Sequence, residues 1–300
     1  MQQAMPEGSR ERARWGVSVA DSLLRAGSVT HAEAYYYWAS RIAPRDPMPR
    51  LALGRYLASR GGVRVGAVLI EEARDFGASP GVAALYLAPL YTQLGEWTKL
   101  AALPGTAVGA GVHERAAWLA THASSLTGPD TTIVPLRRGG DVGAMALHVG
   151  GPGDEVVAAA IDASAHGIVL DTSWRHGAGV RRFGDVGVLE RATIAEFQLT
   201  NVPISFAPLG AKAAARVGLD FLSRFSPTVD GGRGRMVLRR DGRVTPAPGD
   251  ADPLLLDATA GARVAVEDGL LPVSGLLRSE PGPLSWTVDG RAGALVVHRR

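Results

Sequence analysis

The chain has 300 residues, 46 % of them hydrophobic, which is enough for two or more domains with buried cores and excludes a mainly disordered state. Lysine plus arginine (32) exceed aspartate plus glutamate (29) by only three charges, so no strong nucleic-acid-binding field is expected. Cysteine is absent, which excludes thiol nucleophiles, disulfides, iron–sulfur clusters and cysteine-bearing zinc sites, and Lys99 and Lys212 are the only lysines available for Schiff-base chemistry.

The first residues (MQQAMPEGSRERARWG) lack the apolar stretch of a secretory signal, and no apolar run reaches the roughly 18 residues of a membrane span. The expectation is a cytoplasmic chain with no membrane span; an exported, periplasmic chain whose signal had been removed would read the same way. From residue 15 to residue 128 the sequence reads as helices rich in Ala and Leu. Gly27, Gly61 and Gly95 are 34 residues apart, and the same step links Leu23 with Leu57 and Tyr91, and Val19 with Leu53 and Leu87. This spacing resembles the tetratricopeptide repeat, in which each helix pair leaves an apolar face that its neighbour must cover and a small turn residue lets the two helices approach. The resemblance implies a surface that holds a protein partner; the plainer alternative is a helical array packed on its neighbouring domain. Tyr35-Tyr36-Tyr37-Trp38 cannot share one helical face, so part of that run is expected in a groove or an interdomain contact.

After Gly128-Pro129, Gly and Val rise and alternating segments appear, which reads as a second, mostly β domain. AMALHV and EVVAAAID form an expected hairpin joined by Gly-Pro-Gly-Asp, and its second strand runs into Asp162. The segment AAIDASAHGIVL, followed by ATIAEFQLTNVPISFAPL and by RVGLDFLSRF, resembles the retropepsin-like aspartic peptidases over residues 130 to 240. In that family a strand ends in hydrophobic-Asp-(Thr/Ser)-Gly-Ala, so the resemblance implies that Asp162 is catalytic and that Ala163, Ser164, Ala165, His166 and Gly167 form the substrate-binding turn. It also implies an aspartic endopeptidase acting on protein or peptide through an aspartate-activated water, with no cofactor and no metal. Two departures matter. Ala163 lacks the hydroxyl that braces the family's turn, and Ser164 puts a side chain where the family has Gly. The alternative is therefore a pseudopeptidase that binds peptide or protein without turnover.

Hydrolysis of this type needs two carboxylates sharing one proton. TVDGGRGRMVLRR (228–240) recurs as TVDGRAGALVVHRR (287–300), and DASAHGIVLD recurs, with one gap, as DATAGARVAVED (257–268). The duplication makes Asp257 the candidate partner of Asp162 in a bilobal monomer; a single lobe would instead dimerise to supply the second aspartate. The fold expectation is thus α+β and multidomain: a helical repeat at 15–128, an all-β retropepsin-like domain at 130–240, and an abbreviated second lobe or β extension at 241–300. Asp171 is the weaker candidate because it lies 47 residues before Gly218, against 56 for Asp162. Asp220 is expected to be structural, His166 to be an exposed turn histidine, and WRHGAGVRRFGDVGVLE to form a flap hairpin with solvated arginines. The seven histidines show no i, i+4 pair and no HExxH, and neither GxSxG, Walker A nor GxGxxG occurs.

Overall fold

The computed structural model describes residues 8–137, 142–150, 155–210, 214–244, 251–257, 261–266, 269–279 and 285–298. Its N-terminal part is helical: α1 (Ser9–Arg25), α2 (Val29–Ile42), α3 (Pro47–Ser59), α4 (Val63–Asp75), α5 (Pro80–Leu94), α6 (Trp97–Ala101), α7 (Gly105–Val108) and α8 (Ala110–Thr121). Prolines open α3 and α5, where the missing N–H costs nothing, and the Asp46 carboxylate caps α3 by accepting from Met48 N at 3.0 Å. Tyrosine hydroxyls tie successive helices: Tyr36 donates to Asp21, Tyr56 to Glu33 and Tyr91 to Glu71.

The 34-residue step marks the turns of three helix pairs, with φ of 81° at Gly27, 89° at Gly61 and 70° at Gly95. The first two glycines do more than the expected work of drawing paired helices together. A Cβ on Gly27 would lie 2.1 Å from the Val266 carbonyl oxygen, and one on Gly61 would lie 2.3 Å from that of Gly290. The turns therefore press bare backbone onto the C-terminal strands. The Arg60 guanidinium adds hydrogen bonds to the carbonyls of Leu254 and Gly293, and Leu255 and Ala265 complete the apolar core of the first helices.

Part of the Tyr35–Trp38 run, Tyr36, is buried in the apolar core that the first helices share with Leu255 and Ala265 of the C-terminal strands, while Tyr37 and Trp38 stay exposed. Tyr36 is buried against Tyr56 with ring centroids 5.1 Å apart, while Tyr35 and Trp38 pack edge-on against Trp15. Gly16 makes this fit, since a Cβ there would meet the Trp38 ring at 2.6 Å.

The strand-rich part contains β1 (Ser125–Thr127), β2 (Thr131–Pro135), β3 (Ala144–Val149), β4 (Glu155–Asp162), β5 (Ile168–Asp171), β6 (Val180–Phe183), β7 (Val186–Ile194), β8 (Phe197–Ala207) and β9 (Ala215–Gly218). After α9 (Leu219–Leu222) come β10 (Thr228–Asp230), β11 (Arg235–Arg239), β12 (Ala251–Asp257), β13 (Gly261–Val266), β14 (Gly269–Pro272), α10 (Val273–Ser279), β15 (Ser285–Asp289) and β16 (Ala294–His298). The first sheet runs β1-β8-β5-β9-β4-β3-β7-β6 and closes into a barrel through β7–β8. Alternation fills its interior: Met145, Leu147 and Val149 point in from β3, and Val157, Ala159 and Ile161 from β4. The expected β3–β4 hairpin pairs from Ala144↔Ala160 to Val149↔Glu155, and its Gly-Pro-Gly-Asp turn lies outside the described residues.

The second sheet runs β14-β13-β12-β16-β15-β10-β11-β2. Here the two sequence copies meet, with Thr228 of β10 directly opposite Thr287 of β15. The copies differ in topology. In the first, β9 inserts between β4 and β5 and runs parallel to β4, after a long excursion through β6, β7 and β8. In the second, only two residues separate β13 from β14, too few for the dozen or more that a parallel crossover needs, so the strands form an antiparallel hairpin.

No described helix is long and apolar enough to cross a membrane.

Candidate functional site

Asp162 ends β4, paired with Gly218 of β9. The next residues form a turn in which Ala165 N donates to the Asp162 carbonyl at 3.2 Å and Gly167 takes a φ of 63°. The Asp162 carboxylate is engaged on both oxygens. Oδ1 accepts from Ser164 N at 2.8 Å and Ser164 Oγ at 2.6 Å, and Oδ2 faces Arg216 Nη1 at 3.3 Å. Partial burial pushes its pKa up, but the Ser164 hydrogen bonds and the Arg216 charge outweigh burial, so the group titrates below the ordinary aspartate range.

Asp220 fixes the other end of the turn. Its carboxylate accepts from Gly167 N at 2.9 and 3.0 Å and from Phe221 N at 2.7 Å, which is the structural role expected of it. A Cβ on Gly218 would lie 2.3 Å from both the Ala165 carbonyl and Asp220 Oδ1, so only glycine admits this tether. His166 Nδ1 stands 3.7 Å from Asp220 Oδ2. The Asp220 carboxylate raises the histidine pKa against the opposing effect of burial, and Asp257 adds to the rise. Asp171 is a cap: it accepts from Ser173 N at 3.0 Å and Leu209 N at 2.8 Å, bonds that hold its pKa down at about 2.

The second copy touches this turn. Ala262 N donates to the Ala163 carbonyl at 2.9 Å, and a Cβ on Gly261 would meet that oxygen at 3.0 Å and Ser164 Cα at 3.1 Å. Asp257, at the end of β12, pairs with Gly261 across the hairpin. Residues 258–260 of the DATAG segment lie outside the described residues.

A cavity of about 280 Å³ lies where the two copies and the helices converge. Of the residues singled out in the sequence, Ala163, Ala165, His166, Gly167 and Asp257 line it, together with Asp220; Asp162 and Ser164 do not. Ala58, Pro89, Leu90 and Gln93 roof it from α3 and α5, and Arg115 reaches it from α8.

The segment expected as a flap forms the β6–β7 hairpin, which packs against α8. A Cβ on Gly111 of α8 would lie 2.2 Å from the Phe183 carbonyl, and the Arg181 guanidinium sits 4.9 Å from the centre of the Trp118 ring. Its arginines find local partners, Arg175 Nη2 at Asp185 (2.6 Å), Arg181 at Glu190 (2.9 Å) and Arg182 at the Gly184 carbonyl (2.8 Å), while Arg175 Nε is buried with no partner among the described residues.

Arg216 pairs with Asp162, and Arg115 and Arg224 line the cavity; none of the three stands out in the sequence. Arg115 is buried, with 7 % of its surface exposed, and donates from Nη1 to the Ile204 carbonyl at 2.8 Å. Its Nε is buried with no partner among the described residues. Compared with known proteins, the sequence matches no family model and no curated relative.

Proposed function

We propose that this chain is a peptide-binding protein, a retropepsin-like scaffold on which the aspartate turn serves as architecture and not as a catalyst. The observation that carries the reading is the state of Asp162. Its carboxylate is held by Ser164 and Arg216 and lies outside the cavity wall. Aspartic hydrolysis needs one ionised and one protonated carboxyl group around a shared proton, and an arginine partner favours ionisation alone. The closed strand barrel, the GLDFL helix that anchors the turn through Asp220 and the paired Thr-Val-Asp copies support the scaffold. The tetratricopeptide-like helices roof the cleft, so in this reading the array completes the binding site and partner recognition occurs in the cavity between the two parts.

The hydrolytic reading, an aspartic endopeptidase using Asp162 and Asp257, draws on one observation: the Ala262 N to Ala163 O hydrogen bond ties the residue after Asp162 to β13, the strand with which Asp257 pairs. The test is cleavage of an unfolded protein substrate from about pH 3 to pH 7, the range in which carboxylate dyads act, by wild type and Asp162→Asn. Binding without cleavage by the wild type supports the peptide-binding reading. Cleavage abolished in Asp162→Asn overturns it in favour of the endopeptidase.

A further inference from the structure

Arg115 is costly where it stands. Taking a guanidinium out of water is expensive unless an anion or several acceptors replace the lost hydration, and arginine escapes by losing its proton less readily than any other side chain. Here the replacement is incomplete. Nη1 has the Ile204 carbonyl, Nε has no partner among the described residues, and no described carboxylate is paired with the group. Burial alone lowers its pKa, to about 10, with no acidic neighbour opposing it.

The side chain lines the cavity, whose nearby walls include Pro89, Leu90, Ile168, Val186 and Ile204. Its size is just below the roughly 300–1,000 Å³ typical of small-ligand pockets, which suits one anchoring residue better than a long segment. The acids of the cavity do not compete for Arg115. Asp220 is committed to the amides of Gly167 and Phe221 and acts on His166 and on Arg224, the other arginine of the lining, while no acid acts on Arg115.

We infer that the cavity seats a carboxylate of a bound peptide on the Arg115 guanidinium, with apolar neighbours of that carboxylate against the surrounding walls. The guanidinium fork matches a carboxylate in two-point geometry, and the water-poor surroundings strengthen the pair. An acidic side chain and a free C-terminus both supply this group. The inference rests on the peptide-binding reading and says nothing of turnover.

The experiment is calorimetric titration of the full chain at neutral pH with four peptides. They are acetyl-Leu-Asp-Leu-amide, its Asn counterpart, acetyl-Leu-Ala-Leu with a free C-terminus, and acetyl-Leu-Ala-Leu-amide. The expected result is that the Asp peptide, the free-C-terminus peptide or both bind at least about tenfold more tightly than their neutral counterparts, and that Arg115→Gln removes the difference. Which carboxylate peptide is preferred identifies the source. Should Arg115→Gln fail to fold, the wild type still decides through the Arg115 Nε–H resonance, which shifts with the carboxylate peptide and stays in place with the neutral one. Equal affinity for charged and neutral peptides, or an unmoved resonance, overturns the inference while leaving peptide binding intact. Absence of binding by all four peptides overturns both.

Discussion

Thr287 donates its hydroxyl hydrogen to Thr228 Oγ1 across 3.2 Å, and the two residues occupy the same place in the two copies of Thr-Val-Asp-Gly. Because β10 and β15 pair antiparallel with these threonines opposite each other, a local two-fold axis passes between them. In the proposed reading, the pairing that a single-lobed chain would obtain by dimerising is made within one chain. The chain is expected to be a monomer by light scattering. Thr287→Val should cost about 1 kcal/mol in urea unfolding, the usual net worth of a hydrogen bond, without altering that mass.

Gly61 and Gly77 provide a matched pair. Both have left-handed φ, 89° and 101°, but an added Cβ would lie 2.3 Å from the Gly290 carbonyl at Gly61 and meets nothing within 4 Å at Gly77. Gly77→Ala should therefore cost only the backbone term, about 1–2 kcal/mol. Gly61→Ala should cost distinctly more, about 3 kcal/mol or above, because the helices must lift from the C-terminal strands. Chemical denaturation of the two variants measures the difference, and equal losses would argue against tight docking at this turn.

Removing the cation beside Asp162 has a pH signature. The Asp162 pKa is depressed in the folded chain, so its stabilising contribution is complete above the unfolded value near about 3.9 and is lost as pH falls through the folded pKa. Arg216→Met should lower stability at pH 6 by no more than about 1 kcal/mol, since Arg216 is 42 % exposed and screened, and the gap from wild type should narrow at pH 3. Urea unfolding at the two pH values checks it.

His166 has the opposite sign. Its pKa is raised by Asp220, so the contribution is complete below the unfolded value near about 6.5 and disappears as pH rises through the folded pKa. His166→Gln should destabilise the chain at pH 5.5, by less than about 1 kcal/mol for this half-exposed ring, and make little difference at pH 9. A pH-independent loss would assign the effect to packing.

Local constraints were legible in the sequence. Gly27, Gly61 and Gly95 stand out at a 34-residue step because each helix pair turns through a left-handed residue, and the Thr-Val-Asp copies stand out because they pair with each other. The Asp220 anchor spans 53 positions to Gly167 and was legible only through the resemblance of the GLDFL segment to the aspartic peptidases. Long-range partners left no such mark. Arg115 meets Ile204 across 89 positions and Arg216 meets Asp162 across 54, and nothing in HERAAW or AARVG distinguishes these arginines from solvated ones. The altered strand order of the second copy was also hidden, because similarity suggests a shared topology while the two-residue link before β14 forbids it.

In the proposed reading Asp162 is one member of an ion pair and not half of a proton-sharing dyad. Carboxyl-carbon NMR titration of Asp162, in wild type and in Asp257→Asn, tests it most directly. The expected result is a single Asp162 step below the ordinary aspartate range that Asp257→Asn leaves in place and Arg216→Met moves upward. Two coupled steps in the wild type, collapsing to one in Asp257→Asn, would contradict it and restore the catalytic pair.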